Sequence, residues 1–300
     1  KNGKSIDIRV SIVPTINGEK IVLRLLNKDA SKIELHEIGF TKTQLNQYKK
    51  GIYCSHGMIL ISGPTGSGKT TTLYATLKQL NVKEKNILTI EDPIEYTLEG
   101  INQVQLKEDI GLTFPRVLRT FLRQDPDIIM IGEIRDVETA QIAIRSALTG
   151  HLVLSTIHTN SALGILSRLT DMGIPEYLLS ATLNVLIAQR LVRILCQNCK
   201  EKSNEENPLM DSFFPEDLEN NYKAVGCPSC NQTGYSGRKA LFEVIEVDTK
   251  IKNQLKNRNP SINSDIYSNS ESLFQQAMSL CESGVTSFEE VLPILLSGRV

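Results

Sequence analysis

The chain opens on an alternation. Ile6, Ile8, Val10 and Ile12 fall on one parity and Asp7, Arg9 and Ser11 on the other, the period-2 pattern of a half-buried strand. Asn17-Gly18 is a hairpin turn signal, and residues 21–26 supply the return strand. With Asn17-Gly18 as the turn, Ile16 faces Glu19 and Ser11 faces Arg24. Arg9 then lies diagonal to Arg24 on the same face, roughly 7–8 Å away. Pro14 is a position where the strand could bulge and shift this register. Residues 27–32 read as a charged linker and residues 41–50 as a helix. Met58-Ile59-Leu60-Ile61 is an apolar strand, followed by a glycine-rich loop and a helix from about residue 70 to 80. Apolar runs recur at 87–90, 128–131 and 152–154 with helical segments between them. Strands alternating with helices predict a parallel sheet covered on both faces. Gly173 stops one helix, and Pro175 starts another that is predicted to run to Arg193. Residues 257–272, rich in Asn and Ser, read as a flexible link. Ser287 and Glu290 have capping-box spacing ahead of a last apolar run.

Composition narrows the class. Of 300 residues, 40% are hydrophobic and 22% charged, as in ordinary soluble globular proteins. No stretch approaches the ~18 apolar residues of a membrane span. Nothing at the start resembles a signal peptide, and the first residue is Lys1 rather than Met. A soluble chain trimmed at its start is expected. The net charge of −1 gives no support for a large basic surface. Four of the six cysteines form two C-x-x-C pairs, while Cys54 and Cys281 stand alone and read as core cysteines. Without a secretory signal, that pattern points to metal before disulfides.

Gly63-Pro64-Thr65-Gly66-Ser67-Gly68-Lys69-Thr70 fits the phosphate-loop pattern G-x-x-x-x-G-K-[ST] in its required context, after an apolar strand and before a helix. Its backbone N–H groups, with the following helix N-terminus and Thr71, would cradle phosphates. Lys69, expected to face solvent without nucleotide, would reach the β- and γ-phosphates, and the Thr70 hydroxyl would hold Mg2+. Asp127 leads a run of apolar residues, 128–131, that ends at Gly132-Glu133. That places Glu133 at the C-terminal end of a buried strand, where α/β sheets bind ligands. Glu133 is either the group that activates the attacking water or a solvated strand end. Gly132 stands where many P-loop enzymes carry a Mg2+-binding Asp, which leaves the second metal ligand open.

Cys196-x-x-Cys199 and Cys227-x-x-Cys230 suit a closed four-thiolate Zn2+ site. The alternative is a set of reduced, metal-free thiols. Residues 196–238 carry few apolar side chains, so metal should be needed for local folding.

Further motifs carry a family resemblance. Leu88-Thr89-Ile90-Glu91-Asp92-Pro93-Ile94-Glu95-Tyr96 resembles the acidic box of the type II secretion and type IV pilus assembly ATPases. Thr149-Gly150-His151-Leu152 through His158-Thr159-Asn160 resembles their histidine box. Leu122-Arg123-Gln124-Asp125-Pro126-Asp127, running into Gly132-Glu133-Ile134-Arg135-Asp136, resembles their Walker B region. The resemblance covers nearly the whole chain and is weakest over residues 200–222 and 250–270. It implies an α/β fold with a RecA-like P-loop ATPase core over residues 31–195. Residues 1–30 would end a PAS-like second N-terminal domain, 196–238 form the zinc module, and 239–300 a C-terminal helical subdomain. It further implies ATP, Mg2+ and Zn2+ as cofactors and a homohexamer on the inner face of the cytoplasmic membrane. Inner-membrane platform and cytoplasmic linker proteins would be its partners, with no nucleic acid. The four-cysteine module points to the assembly or secretion branches.

Several residue roles follow the resemblance. Glu91, Asp92 and Glu95 cluster at a strand end, either orienting a water and holding Mg2+, with Asp92 the candidate ligand, or capping a helix. His151 and His158 flank a strand, either sensing the γ-phosphate and relaying it or acting structurally. Arg9 and Arg24 suit a charge clamp on transferring phosphate, in their own or a neighbouring subunit's site, or a solvated hairpin face. Arg119, Arg123 and Arg135 are added as candidates. Two other readings stay open: a RecA-like nucleic-acid translocase, weakened by an aromatic content of only 5% with no Trp, and a nucleotide-binding scaffold without turnover.

Overall fold

The computed structural model describes residues 7–26, 33–203, 208–214, 221–256 and 271–298. Ile6, the linker at 27–32 and residues 257–270 of the expected link lie outside the described residues. The hairpin forms from β1 (Asp7–Thr15) and β2 (Gly18–Leu26). Its register differs from the expected one. Thr15 pairs with Gly18, so Ile16 and Asn17 make the turn and Gly18 opens the return strand. Gly18 spends its positive φ of 113° there, a conformation that favours glycine. Arg9 therefore stands directly opposite Arg24, and Ser11 opposite Val22. Pro14 pairs with Glu19 without a bulge.

The core is a seven-stranded sheet in the order β11-β8-β3-β7-β6-β4-β5. Its strands and covering helices follow in chain order: α1 (Lys42–Ile52), β3 (Gly57–Ser62), α2 (Lys69–Leu80), β4 (Ile87–Glu91) and β5 (Asn102–Gln105). Next come α3 (Phe114–Phe121), β6 (Ile128–Ile131), α4 (Val137–Leu148), β7 (Leu152–Ile157), α5 (Gly164–Asp171), α6 (Glu176–Thr182) and β8 (Leu183–Leu195). Thr41 caps α1 in a capping box with Gln44. All neighbours are parallel except β11 against β8. Alternate residues of each central strand enter opposite cores. Met58, Leu60, Ile129 and Ile131 pack with α3, α4 and α5, whereas Ile59, Ile61, Ile128 and Met130 pack with α1 and α2. The predicted two-sided covering is what the strands require, since their residues are buried throughout.

The helix predicted from 175 to 193 is corrected. α6 stops at Thr182, and β8 runs from Leu183 between β3 and β11. A run buried on both faces shows no period of its own. Val185, Ile187, Val192 and Ile194 are β-branched and fit a pleated surface, but only the pairing with β3 fixes the strand.

The chain leaves the sheet after Leu195 and rejoins it at Tyr235. The residues between include β9 (Glu201–Lys202), α7 (Pro208–Phe213) and β10 (Tyr222–Lys223). β11 (Tyr235–Glu246) then pairs with β8, so residues 239–246 are strand rather than the start of a helical segment. Helices follow as α8 (Thr249–Lys256), α9 (Leu273–Glu282) and α10 (Phe288–Ser297). The excursion has more apolar anchorage than its sequence suggested. Phe213 and Phe214 are buried, with ring centroids 6.1 and 6.4 Å from Phe274 and Phe288 for Phe213 and 6.2 Å from Phe288 for Phe214.

The capping box expected at Ser287 and Glu290 does not form, because both side chains have tertiary partners. Ser287 Oγ meets the Tyr235 hydroxyl at 2.9 Å. Glu290 Oε1 accepts from Arg193 N at 2.9 Å, and its Oε2 takes Arg193 Nε and Nη2 at 2.9 and 2.6 Å. The Arg193 guanidinium also stacks 3.9 Å over the Tyr235 ring. Burial works to raise the Glu290 carboxyl, but the Arg193 bonds and charge outweigh it and hold the group below the ordinary value. A carboxylate depressed in the folded state stabilises above its unfolded pKa, about 4.3, and loses that contribution as pH falls through the folded value. Glu290→Gln should therefore cost about 1 kcal/mol near neutrality after discounting for the exposure of Arg193, roughly 2–4 °C in Tm. Thermal denaturation across pH should show the gap to wild type closing below about pH 4.

Candidate functional site

β3, β7, β6 and β4 are parallel neighbours, so their C-terminal ends share one edge of the sheet. β3 exits at Ser62 into Gly63-Pro64-Thr65-Gly66-Ser67-Gly68, and α2 starts at Lys69. The loop lies against β8 so closely that a Cβ on Gly63 would meet Gln189 O at 2.4 Å. Lys69, Thr70 and Thr71 form the first turn of α2, whose N–H groups lack helical acceptors and favour an anion. Ser67 Oγ is buried and has no hydrogen-bond partner among the described residues. That orphaned hydroxyl fits a phosphate oxygen. Lys69 is half-buried rather than facing solvent. Its Nζ donates to Gly63 O at 2.7 Å and Pro64 O at 3.0 Å, the acceptors its flexible stem reaches first. Burial lowers its pKa, and the Glu133 charge acts against that.

Glu133 is set by three strands. Gly132 N donates to Ile90 O at 2.7 Å on β4, and from β7 Ser155 Oγ donates to Ile131 O at 2.9 Å and Thr156 Oγ1 to Gly132 O at 2.7 Å. A Cβ at Gly132 would lie 3.3 Å from both Glu91 Cα and Ile90 O. Any side chain at residue 132 would require β4 to give by a few tenths of an ångström. The Glu133 carboxylate accepts from Arg135 Nη2 and lies 3.4 Å from His158 Nε2. Arg135 Nη2 is also 3.3 Å from Asp92 Oδ2. Burial works to raise the Glu133 carboxyl, but Arg135, His158 and Lys69 together outweigh it and hold it below the ordinary glutamate value.

The acidic cluster divides. Glu91 is buried and bonded on both oxygens, to Tyr74 through Oε2 and to Thr89 and Gln103 at 2.7 and 3.0 Å through Oε1. Burial, then the carboxylates of Glu91 and Glu95, push Tyr96 up to about 12. Glu95 faces the hairpin, where Arg9 Nη2 lies 3.1 Å from its Oε2 and donates to Ile94 O at 3.1 Å. Together these groups line a cavity of about 690 Å³ that includes Arg9, Thr65–Thr71, Glu91, Asp92, Glu95, Glu133 and His158.

Other candidates sit elsewhere in this chain. His151 lies at the opposite end of β7, with Nδ1 2.9 Å from Ser146 O at the end of α4. Arg119 pairs with Glu138, and Arg123 donates to Arg119 O at 2.9 Å. Arg24 is placed opposite Arg9 by the strand register, and its side chain lies outside the described residues. The cavity also takes in Arg238, Leu191 and Thr156, which sequence reasoning did not single out. Arg238 follows the second cysteine pair by eight residues and reaches the cavity only because β11 pairs back along β8.

The four thiolates converge. Cys196, Cys199, Cys227 and Cys230 present sulfurs all within 4.8 Å of one another, with separations of 3.9 Å for Cys196–Cys227, 3.8 Å for Cys199–Cys230 and 3.7 Å for Cys227–Cys230. Tetrahedral Zn–S bonds of about 2.3 Å demand S···S separations near 3.8 Å, so the set fits Zn2+. Cys227 N and Gly234 N donate to Cys230 Sγ at 3.2 Å, which favours the thiolate a metal needs. Of the lone cysteines, Cys281 is buried as expected, but Cys54 is exposed at the end of α1, its thiol directed to Lys50 O.

The sequence matches the family described as "Type II/IV secretion system protein" over residues 1–293. The chain belongs to that family. It is 46% identical to the type II secretion system ATPase E of Vibrio cholerae over 297 residues, covering 97% of this chain and 59% of that protein. It is 53% identical to the type IV pilus assembly ATPase PilB of Myxococcus xanthus, covering 81% of this chain and 44% of that protein. The match thus spans about half the length of these family members. Among solved structures, the pilus retraction motor PilT with bound ADP superposes with a TM-score of 0.71 at 27% identity, over 96% of this chain and 73% of that one.

The thiolate geometry predicts about one zinc per chain by elemental analysis of chelator-free protein. Cys196→Ser or Cys230→Ser should lose it, and wild-type protein isolated without zinc would refute the assignment.

Proposed function

We propose that this chain is the ATP-hydrolysing motor portion of a machine that builds pili or pseudopili for type II secretion or a related type IV pilus or competence system. The observation that carries the reading is the phosphate loop with Lys69 and Thr70 sharing one cavity with Glu133. Nucleotide phosphates would replace the loop carbonyls as partners of Lys69 and satisfy Ser67 Oγ. Thr70 and Asp92 would hold Mg2+, which when bound neutralises charge on the phosphates. Glu133 would serve as the general base. Arg135, His158 and Lys69 hold its carboxyl below the ordinary glutamate value, which keeps it ionised but weakens it as a base, so the support for the role is its place at a strand end fixed by β4 and β7. Arg9 and Arg238 bring positive charge to the other walls, where transferring phosphate builds negative charge.

The relatives' names, a type II secretion ATPase and a pilus assembly ATPase, support the secretion or pilus setting, and within it the chain would work as a homohexamer with platform and linker proteins at the inner face of the cytoplasmic membrane. No described helix is long and apolar enough to cross a membrane.

Two measurements test the chemistry. Lys69→Ala should abolish ATP binding or turnover, and unchanged steady-state hydrolysis would sink the assignment. Glu133→Gln should still bind ATP while turnover drops by about 10²–10⁴. Loss of binding instead would mean that Glu133 mainly holds metal or fold.

Arg9→Ala and Arg24→Ala should each lower turnover far more than ATP affinity, because a phosphate clamp acts most in the transition state. Mixing Arg24→Ala subunits with Lys69→Ala subunits distinguishes the two placements. Recovered activity means that Arg24 serves a neighbouring site, and confirmed mixing without recovery confines it to its own chain.

A further inference from the structure

Behind the cavity, the middle of β8 buries two polar side chains. Gln189 is 2% and Arg190 9% exposed. Polar groups inside a seven-stranded sheet are costly unless specific partners meet them. Gln189 serves the phosphate loop. Its Oε1 accepts from Thr72 Oγ1 at 2.9 Å, and its Nε2 lies where a Cβ on Gly68 would meet it at 2.8 Å. Arg190 reaches a second segment as well, with Nη2 donating to Asn160 O at 2.8 Å and Nη1 to Gln189 O at 3.1 Å, while Nη1 also lies where a Cβ on Gly63 would meet it at 3.3 Å.

Glu243 on β11 completes the arrangement. It is 3% exposed, and its Oε1 accepts from Ala162 N at 3.1 Å. Leu241 pairs with Arg190 and Glu243 with Ala188, so Glu243 stands diagonal to Arg190 on the same face. Burial pulls the Arg190 guanidinium below its ordinary value, and the Glu243 carboxylate opposes that. One residue thus supplies a donor to residue 160 and the other an acceptor to residue 162. An apolar pair here would leave Asn160 O and Ala162 N without these partners. The gripped segment leaves β7 at Ile157 and begins with His158, whose Nε2 is 3.4 Å from Glu133 Oε2. Neither Arg190 nor Glu243 lines the cavity.

We propose that Arg190 and Glu243 are a positioning pair for hydrolysis, anchoring residues 158–163 from behind so that His158 is held against Glu133. The catalytic consequence rests on the ATPase reading above, whereas the anchoring does not. Removing one partner alone would strand a buried charge and endanger the fold. The test therefore uses the double variant Arg190→Met/Glu243→Leu, with Arg190→Lys as the conservative control that keeps a donor for Asn160 O.

Hydrogen exchange by mass spectrometry should show peptides over 158–163 exchanging about tenfold faster in the double variant, with α2 unchanged and Arg190→Lys close to wild type. In ATPase assays the double variant should lose about tenfold in kcat at unchanged nucleotide affinity, and adding His158→Ala should cost nothing further, whereas independent roles would multiply to about a hundredfold. Unchanged exchange over 158–163, or multiplying losses, overturns the positioning pair. A wild-type chain that fails to hydrolyse ATP while the double variant releases the segment supports the anchoring and overturns the ATPase reading.

Discussion

The close approach of β6 to β4 and β7 at Gly132 governs the rest of the site. Ile90 O, the Ser155 hydroxyl and the Thr156 hydroxyl all close on the backbone of residues 131–132. With no side chain there, the strand end is fixed by hydrogen bonds on both sides, and Glu133 emerges in one place. A rigid exit keeps the Glu133 carboxylate at one place on the wall of the cavity.

Charge is the second organising feature. Glu133 sits among Arg135, His158 and Lys69, and their summed effect exceeds the cost of its partial burial. Arg135 spans Glu133 and Asp92, so two carboxylates that would repel each other share one guanidinium. Arg9 does the corresponding work at Glu95 and ties the hairpin to the wall of the cavity. These half-exposed pairs add little to stability. Their effect is to hold side chains at defined places around the phosphate loop.

The zinc-fitting module is rooted in the core sheet rather than appended to it. It leaves from β8 and returns as β11, and those strands also carry Gln189, Arg190, Leu191 and Arg238 behind and beside the nucleotide site. Arg193, Tyr235, Ser287 and Glu290 lock its base to α10, and Phe213 and Phe214 pack on Phe274 and Phe288. A disturbance at the thiolates therefore has a continuous packed route toward β8.

Local spacing alone determined the phosphate loop, the apolar strand ending at Glu133, the two cysteine pairs and the two-sided parallel sheet. Each is written within a few consecutive residues whose chemistry does not depend on distant neighbours: glycines that admit backbone N–H groups, a lysine at a helix start, thiols two residues apart. The strand character of residues 183–195 lay beyond such reading, because a segment buried on both faces shows no periodicity and takes its form from β3 and β11. The slip of the hairpin by two positions depended on where Gly18 used its positive φ. Ser287 and Glu290 had the spacing of a cap, yet Tyr235 and Arg193 claimed them. His151 and His158 looked equivalent in sequence, and the length of β7 put only His158 beside Glu133. Arg190, Glu243 and Arg238 gave no local signal, since their roles come from the antiparallel pairing of β8 with β11. Sequence fixes which groups the chain can offer at a site. Long-range pairing decides which of them arrive, because hydrogen bonds and burial are settled between segments far apart in the chain.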